Sequence, residues 1–145
     1  MGVPRAGGIA RLGATRSVTL PLTGTRRGCS QARDFTERTL SAWSLDTCRE
    51  DARTVVNELA ANALLHAFTE EEAACLKLTL RPAHLVCAVI DHSDRPPVRL
   101  HFTDLLREHG HGLHIVEALS EHWGWTRRFP AGKTVWAMLP IRSRD

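Results

Sequence analysis

The stretch EDARTVVNELAANALLHAF, residues 50–68, sets Ala52, Val55, Val56, Leu59, Ala63, Leu64 and Ala67 at intervals of three and four. That spacing returns apolar side chains to one face of an α-helix, so this segment predicts the strongest helix in the chain. A helix with a single apolar face needs an apolar surface to lie on, and strand-like runs on either side supply one. SVTLPL (17–22) alternates like a short edge strand, and LKLTLRP (76–82) alternates Leu76, Leu78 and Leu80 with Lys77, Thr79 and Arg81. LVCAVID (85–91) is apolar on both parities, as a central strand is, and forms a hairpin with the run before it.

Two further segments carry the helical period. QARDFTERTLSAW (31–43) places Ala32, Phe35, Leu40 and Trp43 near one face; GLHIVEALSEHWGW (112–125) does so with Leu113, Val116, Leu119 and Trp123, with Gly124 near its end. TRRFPAGKTVWAMLP (126–140) reads as two strand-like runs around a PAGK turn. Residues 92–109 carry Pro96, Pro97 and much charge without a sustained period, and a loop of that length in a small domain points to function, such as a lid. The order β-α-α-β-β-loop-α-β-β predicts an α+β fold: a two-layer sandwich of a mixed or antiparallel sheet covered on one face by about three helices.

With 145 residues, 43% of them apolar, the chain is long enough for one domain with a core. Residues 1–33 hold six of the 19 basic side chains, Arg5, Arg11, Arg16, Arg26, Arg27 and Arg33, and no acidic one. The remaining 13 basic side chains face all 16 acidic ones, so the folded part is not charged like a nucleic-acid binder. Residues 1–16 read as a disordered basic arm, 17–141 as the domain and 142–145 as a tail; a transit peptide or a mis-assigned start would give the arm the same composition. No run approaches the roughly 18 apolar residues of a membrane span, so a soluble protein without a membrane role is expected. Cys29, Cys48, Cys75 and Cys87 form no Cys-x-x-Cys pair, which suits a reducing compartment and hence the cytoplasm.

The strong helix also carries Thr54, Glu58, Asn62 and His66 in a slowly drifting file beside Leu59 and Ala63. A solvated polar edge is the ordinary explanation; a carboxylate and an amide one turn apart can also form a site. Asp91 ends an apolar strand, where it can turn the chain or accept an amine of a base. Gly110 and Gly112 precede a helix whose backbone N–H groups can hold phosphate. GKT (132–134) is not the end of a P-loop, because Arg127 stands where that motif needs glycine and a strand pattern follows. His109, His111 and His114, with Asp104 or Glu108, leave a metal site open as an alternative.

Together these stretches resemble the GHKL (histidine kinase-like) ATP-binding fold, also called the Bergerat fold, and within it the small anti-sigma-factor serine/threonine protein kinases of actinobacterial type. NELAANALLHA is similar to the N box, VIDHSDRPP to the first glycine-type box in its Asp-x-Ser form, GHGLHIVEALSEHWGW to the second box and GKTVWAMLP to the last, a likeness running from about residue 17 to 140. The resemblance implies an ATP-binding regulatory protein that uses Mg-ATP to phosphorylate an anti-anti-sigma partner and that sequesters a sigma factor. It implies Glu58 as the base for the attacking hydroxyl, Asn62 as a Mg²⁺ ligand, Asp91 as the reader of adenine and Thr134 as support for Asp91 or an intervening water. Ser93, Gly110, Gly112, Leu113 and Lys133 complete the implied nucleotide site, and residues 98–109 are the implied lid. Relatives commonly act as dimers.

Two departures stand out: Ser93 and Arg95 replace glycines of the wider superfamily, and His111 stands where arginine is usual. A histidine offsets phosphate charge only when protonated. A nucleotide-dependent binding module without phosphoryl transfer is therefore the alternative reading. A histidine-kinase catalytic domain on the same fold fits less well, since no helical hairpin with a phosphorylatable histidine fits in the arm.

Overall fold

The computed structural model describes residues 16–64, 74–93 and 112–141. Five strands form one sheet: β1 (Arg16–Leu22), β2 (Ala74–Leu80), β3 (His84–Asp91), β4 (His122–Arg127) and β5 (Lys133–Pro140). Their spatial order is β1-β2-β3-β5-β4 and every neighbouring pair is antiparallel. Three helices, α1 (Thr25–Ala42), α2 (Arg49–Leu64) and α3 (Gly112–Leu119), lie on one face. The α1 helix packs on β1, α2 on the central strands, and α3 beside α2 and near β4. This is the expected two-layer α+β arrangement.

The strand pattern explains the layering. Opposite residues share a face of the sheet, so Leu85, Cys87 and Val89 of β3 stand with Leu139, Ala137 and Val135 of β5 toward the helices. All six are buried, and they meet Val55, Val56, Leu59 and Ala63 of α2 in one core. Pro21 is tolerated because β1 is an edge strand that needs donors on one side only.

Two boundaries differ from the sequence reading. The α1 helix starts at Thr25, not Gln31, following Gly24 at φ 74°. The α3 helix stops at Leu119, where HWGW was expected to continue it to residue 125 and instead opens β4. The backbone N–H of Glu121 already donates to the Met138 carbonyl at 2.8 Å, drawing the chain into the sheet. Trp123 and Trp125 then pair with Ala137 and Val135 at period two, and the Trp136 ring lies over Gly124, where a Cβ would come within 2.8 Å of it. Cross-strand packing of the tryptophans outweighs a helical period that rests on few residues.

Candidate functional site

One end of the sheet gathers the residues singled out by the sequence. Asp91 closes β3, and Ile90 beside it pairs with Cys75 near the start of β2. Ala74 in turn pairs with Leu22, and Leu22 and Leu64 both lie against Gly28 of α1. The last turn of α2 therefore sits over the Asp91 end, bringing Asn62 and Glu58 with it. The same end receives α3. β4 runs from His122, opposite Met138, back to Arg127, opposite Lys133, which itself pairs with Asp91. Since α3 leads into the far end of β4 and rises about 12 Å along its length, its start at Gly112 lies toward the Asp91 end.

Asn62 is 8% exposed and Asp91 4%, both unusual burial for such groups. Asp91 Oδ1 accepts the Ser93 backbone N–H at 2.8 Å, a local turn, and also a bond from Lys133 Nζ at 3.1 Å. Nζ is 3.0 Å from Oδ2 as an ion pair, but off the direction of a hydrogen bond, so among the described residues Oδ2 is buried with no directed donor. Gly132, at φ 98°, brings its Cα against the Asp91 carbonyl; a Cβ there would lie 2.3 Å from that oxygen.

Direct support of Asp91 by the Thr134 side chain, one of the two roles expected of it, is corrected by this register. Thr134 pairs with Ile90, so its side chain is on the face away from the helices, and the side chain that reaches Asp91 is that of Lys133. Lys133 falls in phase with the buried Val135, Ala137 and Leu139, and that parity was the available signal.

Glu58 is half-buried. Its Oε2 accepts from Asn57 Nδ2 at 3.4 Å, and Asn57 Oδ1 accepts a short 2.6 Å bond from Arg33 of α1. Sequence reasoning missed this relay, which joins α1 to Glu58, because nothing in the pattern marks Arg33 as turned toward α2. Burial pushes the neighbouring Cys29 thiol above its ordinary pKa; Arg33 opposes that shift and Glu58 adds to it. Leu113 is 1% exposed, packed in the core, so what it offers at the start of α3 is its backbone N–H.

His66, Gly110, His109, His111 and residues 98–109 lie outside the described residues. Among the described residues no group of three His, Cys, Asp or Glu side chains could hold a metal ion, no helix is long and apolar enough to cross a membrane, and the four cysteines are free thiols. GKT opens a strand, as its rejection as a P-loop requires.

The geometry agrees with the comparisons to known proteins. Curated proteins give no match. The family model described as histidine kinase-like ATPase domain matches residues 23–139, from the approach to α1 to Leu139 near the end of β5, and so takes in every helix described and, but for Pro140, four of the five strands. Membership implies ATP binding, and the chain belongs to the histidine kinase-like ATPase domain family.

Proposed function

We propose that the protein is an ATP-dependent serine kinase that phosphorylates an anti-anti-sigma partner and binds a sigma factor directly, in the cytoplasm. One observation carries the reading: Glu58 and Asn62 lie one turn apart on α2, over the end of the sheet that holds Asp91. Side chains four residues apart on a helix are about 6 Å from each other, a separation suited to a base beside a metal ligand.

The donor set fits Mg-ATP. Among the described residues Asp91 Oδ2 is a buried acceptor without a directed partner, which an exocyclic amine would satisfy. The amide oxygen of Asn62 is a hard donor of the kind Mg²⁺ takes. Bound Mg-ATP supplies the phosphoryl group and a cation that offsets its charge. Glu58 accepts the proton of the partner's serine hydroxyl, the Asn57 amide holds that carboxylate in place, and the N–H groups at the start of α3 face the phosphates.

The alternative, a module whose partner affinity follows bound nucleotide without transfer, is favoured by His111 in place of arginine. Labelled ATP separates the two. The kinase reading expects label on a serine of the cognate partner, lost in Glu58→Gln while ATP still binds; absence of transfer to any cognate partner contradicts it.

A further inference from the structure

Lys133 is 1% exposed, and among the described residues the contacts of its ammonium group are the two oxygens of Asp91. An ammonium carries three N–H donors. A single carboxylate, reached with good geometry at one oxygen, leaves donor capacity in a place water hardly enters. Beside it stands the matching surplus, Oδ2 of Asp91, buried and, among the described residues, without a directed donor. The two atoms are 3.0 Å apart on the helix-covered face of the sheet, held side by side by the Asp91–Lys133 register pair and by the tight approach of Gly132.

Buried polar groups are rarely left with spare bonding capacity, and leaving it is costly. An acceptor and a donor fixed in parallel match a ligand edge with a donor and an acceptor in the same order. Adenine presents that edge, with its exocyclic N6–H next to the N1 lone pair. Guanine presents the reverse, an O6 acceptor beside two donors, N1–H and N2–H. Lys133 could meet O6, but two donors need two free carboxylate oxygens, and Oδ1 is already taken by the Ser93 N–H and by Lys133. We infer that Lys133 is a specificity-determining residue of the nucleotide site: its Nζ donates to adenine N1 while Asp91 Oδ2 accepts from N6, so the ion pair reads the base as a unit. The inference rests on the ATP-site reading and extends it from one base contact to two.

Base-modified nucleotides test it in the presence of Mg²⁺. ATP is compared with 1-deaza-ATP, in which N1 is a C–H, with purine riboside triphosphate, which lacks the N6 amine, and with GTP. The wild type is expected to bind 1-deaza-ATP and purine riboside triphosphate each roughly 10- to 100-fold more weakly than ATP, the loss of one bond to a charged group. In Lys133→Met the ATP affinity falls to the 1-deaza-ATP level and the N1 preference disappears, while the N6 preference remains. Should Lys133→Met not fold, Lys133→Gln, which keeps a neutral donor, retains a reduced N1 preference. Equal binding of ATP and 1-deaza-ATP by the wild type overturns the inference, as does an N1 preference undiminished in the Lys133 variant that folds, or GTP binding as tightly as ATP. In each of those cases ATP binding itself still stands. Failure of the wild type to bind any of the four nucleotides overturns the ATP-site reading, and this inference with it.

Discussion

Asp91 and Lys133 face each other across the β3–β5 pair and form an ion pair of side chains 5% and 1% exposed. Taking two charges out of water is expensive, and a buried pair offsets that cost only while both partners are present. Lys133→Met strands the carboxylate and is expected to cost about 3–5 kcal/mol in chemical denaturation. Adding Asp91→Asn to that variant recovers part of the loss, giving a coupling energy of about 1–3 kcal/mol in the double-mutant cycle. Additive losses would mean that the two side chains do not act on each other.

Gly132 makes the close backbone approach at the same corner. Its φ of 98° disfavours any L side chain, and a Cβ would press on the Asp91 carbonyl. Gly132→Ala is expected to cost about 2–4 kcal/mol from strain and overpacking together. It should also weaken nucleotide binding more than an equally destabilising core substitution such as Val55→Ala, because it moves the carboxylate. Equal effects on binding would place the strain elsewhere.

Burial raises the pKa of three thiols, Cys29, Cys48 and Cys87, above the ordinary 9.0. The neutral thiol is the form the fold favours, so below pH 9 these groups add no pH dependence. Above it the unfolded chain releases protons that the folded one retains, and stability falls as pH rises toward the folded values. Unfolding free energy measured from pH 7 to 10.5 should decline above about pH 9, and Cys87→Ala should lessen the slope. A flat profile would show that these thiols are not shielded. In the native state Cys75, which is half-buried, should react with a thiol reagent before Cys87 does.

The order of elements was legible because each carries its own period: the three-and-four spacing of α2 and the alternation of β2 and β5 leave few other ways to bury the same residues. The end of α3 was not, since Leu119 and Trp123 continue a helical spacing that only the pairing of HWGWTR with β5 overrides. Glu58, Asn62 and Asp91 were visible as polar groups out of place among apolar ones. The partner of Asp91 was assigned one residue too far along, to Thr134, although strand parity pointed to Lys133, a charge in phase with three inward-facing apolar residues. The relay from Arg33 through Asn57 to Glu58 joins two helices at |i−j| of 24, a separation at which no local pattern operates.

The proposed function requires Asn62 and Asp91 to belong to one nucleotide site. Calorimetric titration of ATP, with and without Mg²⁺, tests this in the wild type, Asn62→Ala and Asp91→Asn. The expected result is stoichiometric binding by the wild type, a loss of about tenfold or more in Asp91→Asn with or without the metal, and a comparable loss in Asn62→Ala only when Mg²⁺ is present. A wild type that takes up no ATP, or an Asn62→Ala protein that binds Mg-ATP as the wild type does, would contradict it.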